Sequence, residues 1–119
     1  MTGSLQVPLQ TTFRNMPRSD ALDEHIQQRA AKLEEFHPRI TSCRVTVEEI
    51  ARHQHQGRQF RVRVDVRVPG HQELIVNRDH AEDPYVALRD AFDAMARQLD
   101  ETVAEDVRAK RAGAGKQPA

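Results

Sequence analysis

The clearest hydrophobic pattern in the chain lies near its C-terminus and predicts a long helix. Its apolar side chains recur at steps of three and four: Tyr85, Leu88, Phe92, Met95, Leu99 and Val103. Such spacing places them on one stripe of an α-helix, which we predict over residues 83 to about 108. Asp83 and Pro84 mark its start, because the carboxylate can accept from free backbone N–H groups and proline at the first helical position loses no needed donor.

A second helix is predicted in the N-terminal third, where the apolar positions again recur at steps of three and four. The stripe consists of Leu22, Ile26, Ala30, Leu33 and Phe36. Ser19 or Asp20 can cap the start of this helix. Pro38 sets its end, because proline disfavours the helical conformation in the residue before it.

Alternation of apolar and polar residues predicts four strands. Phe60 and four valines alternate with charged residues over residues 60–68, a period of two that only a strand places on opposite faces. We predict this strand over residues 58–68, and the others over residues 5–10, 40–50 and 73–77. Pro8 cannot donate a hydrogen bond to a ladder, so the first strand is expected at a sheet edge.

The order of these elements, β-α-β-β-β-α, predicts a two-layer sandwich of the α/β (α+β) class. A strand, crossover helix, strand unit makes the first two strands parallel, whereas short turns make the later pairs antiparallel. The result is a four-stranded mixed sheet with both helices on one face and the other face uncovered. Length and composition indicate one domain over residues 1–111, followed by a tail over residues 112–119 that is expected to be disordered.

Charge is balanced overall but unevenly distributed. The 18 basic and 18 acidic residues give a formal net charge of zero, yet residues 39–68 carry +4 and residues 71–111 carry −4. Neither a bilayer-spanning apolar run nor a signal-peptide pattern occurs, so we expect a cytoplasmic protein without membrane contact. Cys43 is the only cysteine, and its register with neighbouring valines predicts a core residue rather than a nucleophile.

Several segments together are similar to one known family. Residues 83–99 have the sequence DPYVALRDAFDAMARQL, in which an acid and a tyrosine precede small and aliphatic positions and a final Arg-Gln-Leu. Shorter motifs are RNM at residues 14–16, SDAL at 19–22, KLE at 32–34 and ITS at 40–42, followed by Val45 and Val47. Over about residues 5–105 the chain thus resembles the hibernation-promoting factor and ribosome-associated inhibitor A family, also called sigma-54 modulation proteins. Its length resembles that of the short form, which lacks the C-terminal domain of longer members.

The resemblance implies a non-enzymatic protein that needs no cofactor and has no small-molecule substrate. Members of the family bind the small ribosomal subunit and its rRNA in the decoding region and hold idle ribosomes inactive. The implied RNA-binding residues are the cations at matching helix and loop positions: Arg14, Arg29, Lys32, Arg78, Arg89 and Arg97. Ala94, Asp100 and Glu101 depart from the lysines usual in the family, and each lost cation would weaken binding to a polyanion.

Two groups of charges also have explanations that need no ligand. At steps of four along the last helix lie Arg89, Asp93, Arg97 and Glu101. They could form an intrahelical row of ion pairs. On the uncovered sheet face we expect Arg44, Arg61, Arg63 and Arg67, with Glu48 and Asp65 between them. For these we favour cross-strand charge pairing over a second nucleic-acid surface.

Other features give weaker functional signals. His53 and His55 are expected in a solvated hairpin loop rather than in a metal site, because no further ligands accompany them. The alternative function is a non-enzymatic protein-interaction module of the same fold, which would bind a regulatory or stress-response protein through the acidic last helix. The sequence also leaves open a weak homodimer.

Overall fold

The elements follow one another in the predicted order. The computed structural model describes residues 7–50 and 57–115. Its strands and helices are β1 (Leu9–Arg14), α1 (Asp20–Phe36), β2 (Ser42–Ile50), β3 (Gln59–Arg67), β4 (Leu74–Ala81) and α2 (Pro84–Gly115). This confirms the β-α-β-β-β-α order. The predicted loop with His53 and His55 lies outside the described residues.

The four strands form one mixed sheet. Their order is β1-β2-β3-β4, in which β1 runs parallel to β2 and the other neighbours are antiparallel. The parallel pair follows from the crossover through α1, and the antiparallel pairs follow from direct connections. The predicted sheet is therefore confirmed, including the edge position of β1.

The core lies between one face of the sheet and both helices. In β2 and β3 the valines Val45, Val47, Val62, Val64 and Val66 are completely buried. Leu22, Ile26, Ala30 and Leu33 of α1 and Leu88, Phe92, Met95 and Leu99 of α2 complete the same cluster. A two-layer domain of this kind leaves the opposite sheet face to solvent.

Both predicted helix starts are confirmed by capping hydrogen bonds. The backbone N–H of Leu22 donates to Oγ of Ser19 over 3.2 Å. Asp83 Oδ1 accepts from the backbone N–H of Tyr85 at 2.9 Å and of Val86 at 3.3 Å. Each cap satisfies a donor that has no partner inside the helix.

The predicted bounds of three elements differ from the structure by more than two residues. β1 runs from Leu9 to Arg14 rather than over residues 5–10, of which residues 5 and 6 lie outside the described part of the chain. Pro8 has no N–H for the ladder and contributes only its carbonyl, which accepts from Cys43 N at 3.1 Å. β4 extends to Ala81 rather than to residue 77, and α2 extends to Gly115 rather than to about residue 108. The predicted disordered tail therefore begins within this helix, and its residues 116–119 lie outside the described part of the chain.

Three residues of the predicted apolar stripes are exposed instead of buried. Phe36 is 68% exposed, Val103 44% and Tyr85 38%. The helix α2, at 32 residues, is about 48 Å long and outlasts a nine-residue strand of about 30 Å. Small residues that the spacing did not single out, Ala87 and Ala91, are completely buried and bring the helix close to the sheet.

Candidate nucleic-acid interfaces

The six predicted RNA-binding residues divide between the two layers of the domain. Arg29 and Lys32 lie on α1, and Arg89 and Arg97 lie on α2; we call these four the helix-layer cations. Arg14 ends β1, and Arg78 lies on β4. The structure therefore does not bring all six to one surface, and each layer requires its own description.

A groove of about 440 Å³ separates the two helices. Its lining is Arg29, Lys32, Leu33, Phe36, His37, Phe92, Asp93, Ala96 and Asp100. Arg89 and Arg97 extend the α2 side of this groove, since residues 89, 93, 97 and 100 recur at steps of three and four. The groove thus combines an exposed aromatic ring, at Phe36, with cations and carboxylates.

Most helix-layer cations have no acidic partner. Among the residues that the structure describes, Arg29, Lys32 and Arg97 make no ion pair, and Arg89 pairs only with Asp90, at 3.4 Å. The predicted row of ion pairs along Arg89, Asp93, Arg97 and Glu101 is therefore wrong. These side chains point to solvent and remain available to a polyanion.

Two carboxylates of α2, Asp100 and Asp106, contact other parts of the chain. Asp106 Oδ2 accepts from Nη1 of Arg39 at 2.7 Å, and its Oδ1 lies 2.9 Å from Nε2 of His71. These hydrogen bonds, first from Arg39 and then from His71, lower the pKa of Asp106. Asp100 lies 3.4 Å from Nε2 of His37. The C-terminal part of α2 is thereby fastened to the segments that follow α1 and β3.

The uncovered sheet face carries the larger concavity, with a volume of about 740 Å³. Its lining is Arg14, Arg44, Thr46, Glu48, Arg61, Arg63, Asp65, Asn77, Arg78 and Asp79. One register row crosses all four strands, because Arg14 faces Glu48, Glu48 faces Arg61, and Arg61 faces Asp79. Positive and negative side chains alternate along this row.

Two arginines of the sheet face are held by carboxylates. Arg61 donates from Nε to Asp79 Oδ1 at 2.8 Å and from Nη2 to Oδ2 at 3.1 Å, a two-point contact between neighbouring strands. Arg63 Nε donates to Oδ1 of Asp65 at 2.8 Å along the same strand. These hydrogen bonds raise the pKa values of both arginines. The predicted cross-strand charge pairing is thus confirmed for Arg61, although its partner Asp79 was not foreseen, whereas Arg63 pairs with Asp65 of its own strand.

Three other arginines of this face have no such partner. Arg14, Arg44 and Arg67 make no ion pair with any residue that the structure describes. Arg44 lies directly opposite Asp65 in the register. The carboxylate of Asp65, however, is bound by Arg63. Arg78 donates from Nη1 to the carbonyl of Asn77 at 2.7 Å. We call Arg14, Arg44 and Arg67 the unpaired sheet arginines.

The described residues contain little that suggests covalent chemistry. Cys43 is 6% exposed, and burial, reinforced by the negative charge of Asp65, raises its pKa to about 12. The thiol is therefore neutral at physiological pH, as its predicted core position implies. No group of three or more His, Cys, Asp or Glu side chains is placed to hold a metal ion within residues 7–50 and 57–115. No helix in that part of the chain is long and apolar enough to span a membrane.

Fold and surfaces together define a two-layer α+β domain with exposed cations on both layers. The chain belongs to the family described as Sigma 54 modulation protein / S30EA ribosomal protein, whose model matches residues 9–104. This confirms the family resemblance seen in the sequence. A ribosome hibernation promotion factor of Deinococcus radiodurans is 30% identical over 90 residues, which are 76% of this chain and 46% of that protein. The chain thus spans about half the length of this curated relative.

Solved structures show the same fold. A ribosomal subunit interface protein from Coxiella burnetii matches with a TM-score of 0.70 and 17% identity. The N-terminal domain of Protein Y from Thermus thermophilus matches with a TM-score of 0.60 and 20% identity. Each comparison covers 82% of this chain and 99% of the other. At these identities the likeness establishes the fold alone.

Proposed function

We propose that this chain is a ribosome hibernation factor that binds the small ribosomal subunit and its rRNA in the decoding region. By occupying the space of mRNA and tRNA, it inhibits translation sterically and without turnover. The family match over residues 9–104 carries this proposal. The names of a relative and of a structural neighbour, a hibernation promotion factor and a subunit interface protein, support it.

The helix-layer cations are the proposed contacts on this chain. Arg29, Lys32 and Arg97 have no internal acidic partner among the described residues, so an approaching phosphate does not have to displace a carboxylate. Arginine can contact a phosphate with two parallel N–H donors, and lysine acts as a point charge. Each contact releases a counterion from the RNA, so binding should weaken steeply as salt rises.

The acidic residues of α2 oppose this binding less than their number suggests. Asp106 is bound to Arg39 and His71, and Asp100 lies beside His37. Arg39 compensates the charge of Asp106, so this carboxylate repels a phosphate less than an unpaired one does. The same contacts weaken the alternative of a protein-interaction module, since they occupy two of the carboxylates that would recruit a partner.

Co-sedimentation with purified small subunits tests the proposal. We expect the chain to sediment with the subunits at near-physiological salt, and to be excluded when mRNA and initiator tRNA are already bound. The triple variant Arg29→Ala, Lys32→Ala, Arg97→Ala should bind on the order of a hundredfold more weakly, because three phosphate contacts are lost. Its salt dependence should be correspondingly shallower.

A variant of equal charge provides the control. Arg108, Lys110 and Arg111 are exposed on the C-terminal part of α2, outside the groove, and replacing all three by alanine removes the same charge. We expect this control to keep most of its binding. Wild-type chain that stays at the top of the gradient at every salt concentration would contradict the proposed function. Equal losses in the two variants would contradict only the assigned surface.

A further inference from the structure

We propose that the uncovered sheet face is a second RNA-binding surface, which holds the phosphate backbone of an RNA double helix through Arg14, Arg44 and Arg67. The helix-layer cations face away from this surface, because the sheet carries both helices on its other side. The two surfaces can therefore be occupied at the same time.

The division between paired and unpaired arginines carries the proposal. Arg61 and Arg63 are fixed by Asp79 and Asp65 at 2.8 Å, so their charges are already compensated. Asp65 is only 5% exposed although it belongs to the solvent face. It lines the concavity and holds Arg63 there. The unpaired sheet arginines have no such compensation among the described residues, and their charge is open to an external anion.

The arrangement of these arginines suits an extended anion. Arg14 lies on β1, Arg44 on β2 and Arg67 on β3, so three adjacent strands contribute one guanidinium each. In the register Arg14 faces Glu48, which lies four residues from Arg44 on β2, and Arg67 faces Ser42, two residues beyond Arg44. At about 3.4 Å per residue, the three arginines spread over about 20 Å along the strands. A row of phosphates can therefore meet several of the arginines at once, which a small anion cannot do.

The composition of the face favours a double helix over a single strand. Recognition of single-stranded RNA relies on aromatic side chains on which unpaired bases stack. The concavity is lined by arginine, threonine, asparagine and carboxylates, and none of its lining residues is aromatic. Double-stranded RNA, in contrast, is bound chiefly through phosphates and 2′-hydroxyls. The chemistry present thus fits a backbone.

A domain that binds RNA through both its helix layer and its sheet face would lie in a cleft between two RNA segments. The smallest extent of its Cα trace is 17 Å, so the two RNA segments would lie close together. This inference rests on the proposed function for the source of the RNA, since rRNA supplies many short double helices. The chemistry of the sheet face itself can be measured without ribosomes.

Fluorescence anisotropy with an isolated RNA hairpin of about 16 base pairs tests the inference. The variant Arg14→Gln, Arg44→Gln, Arg67→Gln should bind at least about tenfold more weakly than wild type at moderate salt. The slope of log affinity against log salt should fall by about 2 to 3, close to one released counterion per arginine. Thermal unfolding should be unchanged, because none of the three arginines has an ion pair to lose within residues 7–50 and 57–115.

Two comparisons keep the result interpretable. Replacing Arg108, Lys110 and Arg111 by glutamine removes the same charge elsewhere and should leave hairpin binding near the wild-type value. Equal losses in the two triple variants would overturn the inference, because net charge alone would explain them. A single strand of the same length that binds as tightly as the hairpin, with the same loss in the sheet variant, would overturn the assigned ligand.

The outcome can be separated from that of the proposed function. A chain that binds the hairpin through the sheet face but does not sediment with small subunits would contradict the proposed function alone. A chain that sediments normally while the sheet variant binds hairpin and subunit as well as wild type does would overturn only this inference.

Discussion

Cys43 and Asp65 show how one sheet gives neighbouring residues opposite environments. Cys43 points into the core from β2. Asp65 lies on the neighbouring strand β3, next to Val66, which pairs with Cys43, and belongs to the solvent face. Both are nearly inaccessible, the thiol because it lies in the core between sheet and helices and the carboxylate with Arg63 bound against it. An apolar environment without a nearby cation raises the pKa of an acidic group, because it disfavours the charged form. The thiol of Cys43 is in such an environment.

This environment predicts an unreactive thiol. With its pKa raised to about 12, Cys43 has almost no thiolate at neutral pH, so a disulfide reagent should label the folded protein at least about a hundredfold more slowly than the denatured protein. Absorbance of the released chromophore measures both rates. The denatured chain serves as the control, and rapid labelling of the folded chain would contradict the buried position.

The sequence predicted burial well where residue spacing alone decides it. Valines that alternate along β2 and β3 are buried as expected, because the face of a strand residue depends only on its position. Tyr85 was expected in the core and is partly exposed, with its ring in an edge contact with His25 at 4.9 Å between centroids. Whether a residue at a helix end reaches the core depends on where the sheet ends. The spacing of apolar residues in the helix carries no information about that position.

At the scale of the elements, α2 depends on its first turn. Asp83→Ala removes the acceptor for the backbone N–H groups of Tyr85 and Val86, and we expect it to lower the free energy of unfolding by about 1 kcal/mol. Urea denaturation followed by circular dichroism measures the change.

Glu105→Ala provides the comparison, since it removes a carboxylate from the same helix at an exposed position without an ion pair among the described residues. Its effect should stay within about 0.5 kcal/mol. A loss in this variant as large as that in Asp83→Ala would argue against the cap.

Element types were predictable from the sequence, but pairings of side chains were not. Proline and capping signals placed the helix starts correctly, because they act over a few residues. The pairing of Arg61 with Asp79 depends on the register of β3 against β4, which brings together residues 18 positions apart. The contact of Asp106 with Arg39 spans 67 positions. Such contacts arise only once the tertiary structure is complete, so the sequence could not indicate which arginines remain unpaired.

At the scale of the whole molecule, Asp106 joins three segments of the domain. Its carboxylate is bound by Arg39, which follows α1, and by His71, which follows β3, and these contacts lower its pKa. A carboxylate with a lowered pKa stabilises the folded state above its ordinary value of 3.8, and this stabilisation is lost as the pH falls through the lowered value.

The variant Asp106→Asn should therefore unfold at a lower temperature than wild type near neutral pH. The difference should shrink as the pH falls below 3.8, because the wild-type carboxyl group then also becomes neutral. Thermal unfolding at a series of pH values measures it. Glu105→Gln, at an exposed position nearby, should differ little from wild type across the series, and a difference for Asp106→Asn that does not depend on pH would contradict the ionic contact.

The single parallel pairing of the sheet also has a consequence for the order in which the domain assembles. β2, β3 and β4 pair with their neighbours in sequence, whereas β1 can reach β2 only after the chain has closed a long loop that contains α1. Loop closure costs entropy before any contact repays it, so we expect the antiparallel strands to form first and β1 to join last. Arg14 ends β1. The cation at the β1 edge of the sheet face is therefore put in place by the last step of folding, and only a fully folded chain presents that face complete.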